Sequence, residues 1–287
     1  MKKIFSILFI TLIFVSGISA ANAKTIKTTD KSGKNVWEIG TELAYFNYKE
    51  PNIMKNTGLL YGITGSYARR DKLVLKAEGR FDFGQLDYKS VNTGTAKNED
   101  TFLLEGRGLL GYDFSCAGYN SLFEGLTLTP FTGIGYRYLN NDSSGKITTT
   151  GHAGYDRESN YVYSPLGIEV LLPLGKKAVD QTGSWALGAS AEYDHFWWGR
   201  QISHLSDVDP NFSDVKNTQK KGYGLRGSVS LRRTGGKFNF IIEPFIRYWS
   251  IKQSNQSNIF FGGTIWGFGW EPKNNSTEAG CRFALEF

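Results

Sequence analysis

The 287-residue chain has little of what most enzymes and small secreted domains rely on: two cysteines, three histidines and seven prolines. Two cysteines exclude a disulfide-rich scaffold, and three scattered histidines provide no spacing typical of a metal site. Walker-type glycine patterns are absent, so no nucleotide or other cofactor is expected. The net charge of +6 is spread along the chain without a basic arm, which argues against a nucleic-acid partner.

Long apolar runs are also missing, except at the N-terminus. Two lysines precede an apolar run over residues 4–15, and an Ala-x-Ala sequence follows at residues 21–23. This order is typical of a secretory signal peptide, and the run is shorter than the roughly 20 residues of a membrane-spanning helix. Residues 1–23 are therefore predicted to be a signal peptide. No low-complexity linker divides residues 24–287, which are predicted to form one domain.

Aromatic residues and glycine are abundant, and apolar and polar residues alternate with period two. In LVLKAEGRFDF (73–83), every charged side chain falls on one face and every large apolar one, apart from Val74, on the other. Such alternation is typical of half-buried β-strands. Ten segments show the pattern: 36–48, 58–70, 73–83, 101–114, 126–139, 158–173, 184–198, 222–233, 238–249 and 278–287.

A soluble sheet with one apolar face needs a second layer to cover it, but no amphipathic helix is evident. Ten antiparallel strands can instead close into a transmembrane up-and-down β-barrel, although eight or twelve strands remain possible. Short connections are predicted near 69–72, 115–124, 174–183 and 233–237. Longer ones are predicted near 49–57, 88–100, 140–157, 199–221 and 253–275. A disulfide between Cys116, in a predicted turn, and Cys281, on an apolar strand face, is left open.

The chain ends CRFALEF, with apolar residues at alternate positions and a terminal Phe287. This ending resembles the C-terminal signature of bacterial outer-membrane β-barrels, and together with the strand pattern the resemblance covers residues 24–287. It implies a Gram-negative outer-membrane location, contact with lipid and lipopolysaccharide, and insertion by the barrel assembly machinery. Aromatic residues near strand ends agree with the interfacial belts of such barrels.

The predicted inward face carries charges of both signs. Ten strands lie near the size at which side chains fill the interior, whereas open channels need sixteen or more. We therefore predict a cross-linked polar lumen, with a narrow channel for ions or small solutes as the alternative. The residues assigned to this lumen network are Lys76, Glu78, Arg80, Asp82, Glu105, Arg107, Arg137, Glu243, Arg247 and Arg282.

Two enzymatic resemblances compete with a non-catalytic interpretation. Omptin proteases are ten-stranded barrels with acidic residues and an Asp-His couple at the outer rim, which implies rim roles for Asp82, Asp194 and His195. However, omptins space the couple as Asp-x-His, whereas adjacent residues of a strand point to opposite faces. His204-Leu205-Ser206 also resembles the His-x-Ser of lipid A deacylases, but it lies in a predicted loop. Neither pattern fits well, so no catalytic residue is assigned.

The last predicted outer loop is unusually apolar. Large hydrophobic residues in a solvated loop indicate either packing against the barrel mouth or a contact surface for a partner. The candidate contact residues are Phe260, Phe261, Trp266, Phe268 and Trp270. The sequence thus predicts a surface-exposed, non-catalytic envelope protein whose loops act in adhesion, recognition or envelope integrity, with a possible extracellular ligand.

Overall fold

A computed structural model describes residues 34–116, 125–174, 184–234 and 238–287. The predicted signal peptide and most of the predicted short connections lie outside these residues. The strands are β1 (Lys34–Glu50), β2 (Met54–Asp71), β3 (Leu73–Ser90), β4 (Gly94–Tyr112), β5 (Phe114–Cys116), β6 (Leu126–Asp142), β7 (Asp156–Leu174), β8 (Ser184–Ser203), β9 (Val215–Gln219), β10 (Gly222–Thr234), β11 (Asn239–Ile251), β12 (Ser257–Phe261), β13 (Thr264–Gly269) and β14 (Asn274–Glu286).

Ten long strands form a closed antiparallel barrel. Their order around the ring is β1, β2, β3, β4, β6, β7, β8, β10, β11 and β14, and β14 pairs back with β1. The predicted all-β, up-and-down barrel of ten strands is confirmed. Two short strands extend this sheet, β5 beside β6 and β9 beside β8, while β12 and β13 form a separate hairpin.

The C-terminal residue takes part in closing the ring. Phe287 and Trp37 exchange two backbone hydrogen bonds of 2.9 Å each. On its other side β14 pairs with β11, from Asn239↔Glu286 to Ile251↔Asn274. Every strand of the ring thus has two neighbours, which leaves no unpaired backbone edge in a membrane.

Side chains alternate around the barrel wall as the sequence predicts. On β1, Trp37, Ile39, Leu43 and Tyr45 are exposed on the outside. Aromatic rings meet across neighbouring strands on this outer face; Trp37 and Tyr67, for example, have ring centroids 4.6 Å apart. An exposed apolar wall of this kind is stable in a lipid environment.

No helix among the described residues is long and apolar enough to cross a bilayer.

The strands run further than predicted at the long-loop end. The connections predicted at 49–57 and 88–100 shrink to residues 51–53 and 91–93, and β7 and β8 pair as far as Arg157↔Ser203. In these extensions the inward face mixes apolar and polar residues, such as Met54 and Asn56, so the two-residue alternation fades while the backbone ladder continues. This is why sequence periodicity ended the strands too early.

Both cysteines lie on strands. Cys116 belongs to β5 and not to the predicted turn, since β5 pairs with β6 as Cys116↔Leu126. Its side chain lies outside the described structure. Cys281 is a free thiol on the outward face of β14.

Candidate functional site

Arg80, on β3, forms ion pairs with four carboxylates inside the lumen. Arg80 donates from Nη1 to Asp82 at 2.7 Å and to Glu278 at 2.6 Å, and from Nε to Glu105 at 2.7 Å. Its Nη1 also lies 3.3 Å from Glu42. The guanidinium is buried, and its four carboxylate partners come from strands β1, β3, β4 and β14. One side chain thus ties four stretches of the barrel wall together.

Neighbouring strands place the predicted Glu-x-Arg pairs opposite each other. The β3–β4 register aligns Glu78 with Arg107 and Arg80 with Glu105. Arg107 binds Glu78 and also reaches Glu192 on β8 at 2.5 Å. All ten residues of the predicted lumen network make at least one ion pair, namely Lys76, Glu78, Arg80, Asp82, Glu105, Arg107, Arg137, Glu243, Arg247 and Arg282.

Towards the long-loop end the lumen holds large apolar side chains beside buried polar groups such as Glu50 and Glu271, and sequence reasoning missed the apolar ones. Two buried clusters face inward there: Phe46, Tyr48, Met54, Leu60, Leu86, Leu103 and Leu139, and Tyr161, Tyr163, Phe196, Trp249 and Ile251. Tyr163 joins the second cluster to the ion pairs by donating from its hydroxyl to Glu105 at 2.6 Å. A sequence signal existed, since pairs such as Leu59-Leu60 and Leu103-Leu104 break the alternation with an apolar residue on each face.

A cavity of about 180 Å³ remains beside the ion pairs. Its lining includes Glu38, Lys76, Arg107, Glu169 and Arg232. The lumen therefore contains a part rich in apolar side chains at the long-loop end, a layer of ion pairs and a small cavity with charged lining residues.

The residues considered for an omptin-like site do not come together. Asp82 is buried against Arg80, and Asp194 is fully buried and accepts from Arg226 Nε at 2.7 Å. His195 lies on the outward face, where its ring centroid is 4.4 Å from that of Trp197. As the period-two argument required, adjacent Asp194 and His195 point to opposite sides of the wall.

The apolar loop is an ordered hairpin of β12 and β13. Gly262 (φ 55°) and Gly263 (φ 82°) form its two-residue turn, a glycine pair that marks hairpins in sequence. Phe260 O accepts from Ser213 N at 3.0 Å, and the Phe212 ring lies 5.3 Å from that of Trp266. These contacts fix the hairpin on the segment that follows β8.

The base of the hairpin is tied into the barrel mouth. Glu271 accepts from Arg157 Nη2 at 2.8 Å and from the Tyr48 hydroxyl at 2.8 Å. The same Arg157 nitrogen donates to Glu50 at 2.6 Å. The hairpin is thus held at its base and by its contacts with Phe212 and Ser213. Large side chains nevertheless stay open, with Trp266 66% exposed, Phe268 58% and Trp270 50%, while Phe260 is half-buried and Phe261 is partly open.

A histidine outside the predicted sites sits between two carboxylates. His204 Nδ1 lies 2.8 Å from Asp214 and Nε2 lies 3.2 Å from Glu158 on β7. Partial burial alone would lower the pKa of His204, but the hydrogen bonds to Asp214 and Glu158 outweigh it and raise the pKa. Ser206 donates to Asp214 at 2.6 Å and is not hydrogen-bonded to His204, so the His-x-Ser pattern forms no nucleophile–base pair.

Comparison with solved structures identifies the fold. The outer-membrane protease OmpT of Escherichia coli superposes with a TM-score of 0.52 at 10% identity, covering 92% of this chain and 99% of OmpT. Two other structures are more distant. The transport unit of the Escherichia coli autotransporter AIDA-I has 10% identity and a TM-score of 0.39, covering 98% of this chain and 96% of that one. The translocator domain of Neisseria meningitidis NalP has 10% identity and a TM-score of 0.35, covering 90% of each chain. No family model matches the chain, and no curated protein matches it in sequence.

The closed ten-stranded ring and the OmpT superposition define the class: the chain has the fold of a bacterial outer-membrane β-barrel.

Proposed function

We propose that the protein is a non-catalytic barrel of the bacterial outer membrane that binds an anionic amphipathic molecule, of the kind of lipopolysaccharide, through the β12–β13 hairpin. The observation that carries the proposal is the fixed hairpin with Trp266, Phe268 and Trp270 open to solvent. A rigid patch of large apolar side chains on a protein surface usually marks a contact site. Aromatic rings also have an affinity for the interfacial region of lipid.

The charges around the hairpin favour an anionic partner. Exposed lysines lie in two stretches of chain next to the hairpin, one from β9 to the start of β10 and one between β11 and β14. They are Lys216, Lys220, Lys221, Lys252 and Lys273. Lys216 O accepts from the Ser257 hydroxyl at 2.8 Å at the start of β12, and Lys252 N donates to Lys221 O at 2.9 Å. Aromatic rings beside lysines match a molecule with acyl chains and phosphate groups.

The interior supports binding at the surface over transport or catalysis. Two apolar clusters and a dense set of ion pairs occupy the lumen. The acidic residues that would serve an omptin-like protease are bound to arginines. The competing functions are a narrow channel and a rim protease. They predict unit conductance in planar bilayers and peptide cleavage that is lost in Asp194→Ala.

The test compares thermal stability of the detergent-refolded barrel with and without purified lipopolysaccharide. We expect lipopolysaccharide to raise the unfolding temperature of the wild type, because a ligand that binds the folded state stabilises it. The double variant Trp266→Ala/Phe268→Ala should lose most of this rise. Trp185→Ala, an exposed tryptophan near the other end of the wall, is the matched control and should keep it. An equal rise in all three proteins, or none in the wild type, contradicts the proposal.

A further inference from the structure

The segment between β8 and β9 lies against the start of β7, where His204 N donates to Asp156 O at 2.9 Å, and brings His204 to two carboxylates of β7. Asp156, Glu158 and His204 each offer one ligand atom, and these atoms all lie within 4.8 Å of one another. His204 Nε2 is 3.2 Å from Glu158 Oε1. Two ligands of a tetrahedral ion with bonds of about 2.0–2.1 Å are about 3.3 Å apart. The spacing of this pair therefore suits a bound divalent ion.

The other ring nitrogen is held as in established metal centres. His204 Nδ1 faces Asp214 at 2.8 Å, and Asp214 is fixed by the Ser206 hydroxyl at 2.6 Å and more weakly by the Ser206 backbone amide. A histidine that ligates through one nitrogen commonly donates from the other to a carboxylate, which sets the tautomer and the ring orientation. This carboxylate–histidine pair is an independent feature, since three clustered ligands do not require it.

The strand ligands are also held in place. Asp156 is buried, accepts from Asn140 Nδ2 at 2.5 Å and donates its backbone N–H to Asp207 at 3.0 Å. Neighbouring carboxylates make a negative charge at Asp156 electrostatically unfavourable, and Asp142 of β6 lies directly opposite Asp156 in the strand register. Among the described residues, His204 is the one cationic side chain that forms ion pairs with the acids of this cluster. In the lumen, by contrast, arginines and Lys76 face the acids.

We propose that Asp156, Glu158 and His204 Nε2 bind a divalent transition-metal ion such as Zn²⁺, with Asp214 as the residue that positions His204. Three protein ligands leave one position for water. Because two of its ligands lie on β7 and the third is His204, the ion would hold the segment between β8 and β9 against β7. The same segment contacts the hairpin, since Ser213, next to Asp214, donates its N–H to Phe260 O. The ion would bind through the cluster and the Asp214–His204 pair, independently of any ligand of the hairpin.

Equilibrium dialysis of the full barrel, refolded in detergent without a polyhistidine tag, tests the site with Zn²⁺ alone. We expect one Zn²⁺ per barrel in the wild type and its loss in His204→Ala. Glu158→Gln should also lose it, and Asp214→Asn should weaken binding about tenfold or more. The visible absorption of bound Co²⁺ gives a second readout of the same ligands. Heat-modifiable gel migration checks that each variant is folded.

The two other histidines are the matched controls. His152→Ala and His195→Ala should each keep the bound Zn²⁺, since neither belongs to the cluster. The absence of Zn²⁺ from folded wild-type protein overturns the proposal. So does Zn²⁺ that stays on His204→Ala, or that leaves with His152. Binding of Ca²⁺ in place of Zn²⁺, unaffected by His204→Ala, would mean an oxygen-only site and would overturn it equally.

Discussion

Replacing Arg80 by methionine removes the charge at the centre of the lumen while keeping much of the side-chain volume. Glu42 and Glu278 would still face Arg247, and Glu105 would still face Arg226. Asp82 is different, because within the described part of the chain its ion pair is with Arg80 alone. Leaving a buried charge without its partner costs about 3–5 kcal/mol, and we expect that loss in the free energy of unfolding of Arg80→Met.

Two further variants separate charge from geometry. Arg80→Lys keeps the charge but loses the guanidinium fork, so we expect a smaller loss of about 1.5–3 kcal/mol, the contribution of a hydrogen bond to a charged group. Adding Asp82→Asn to Arg80→Met removes the unpaired carboxylate and should recover part of the loss. The assay is equilibrium urea unfolding in phospholipid vesicles, followed by tryptophan fluorescence and gel migration. An Arg80→Met barrel within about 1 kcal/mol of the wild type would refute the idea that this network stabilises the fold.

Three other predictions concern the wall and the lumen. A Cβ at Gly135 would lie 2.2 Å from the inward ring of Tyr163, whereas a Cβ at Gly106 would meet nothing within 4 Å. Gly135→Ala should therefore lower the free energy of unfolding by about 1–3 kcal/mol and Gly106→Ala by much less. Equal urea midpoints for the two variants would contradict this. Ile63→Arg, on the outer wall, should lower the free energy of unfolding in vesicles by about 2–4 kcal/mol. Val91→Arg, in the turn between β3 and β4, should leave it nearly unchanged. Similar losses in the two variants would argue against the lipid-facing assignment of the wall. Arg107→Leu and wild type should both lack unit conductance in planar bilayers, since the apolar clusters fill the lumen, and a conductance that the variant changes would support the channel.

Sequence periodicity was sufficient for the wall of the barrel. Inward and outward faces follow from a two-residue repeat, and the Glu78–Arg107 and Arg80–Glu105 pairs follow from adjacent antiparallel strands with the same spacing of charges. These are local consequences of the pleat. The apolar side chains in the lumen were missed, because residues such as Leu60 and Leu103 are buried by the ring itself and not by lipid.

The sequence alone thus predicted an antiparallel barrel of about ten strands with an apolar outside and a charged inside, and the closed ring fixes the number at ten. The tertiary structure alone decided which distant groups meet, such as Arg80 with Glu278 across the lumen, His204 with Glu158 and Asp214, and the hairpin with Phe212. The physical reason is one of range. Alternation is set by neighbours along the chain, whereas contacts across the lumen and between loops depend on the register, tilt and closure of all ten strands together.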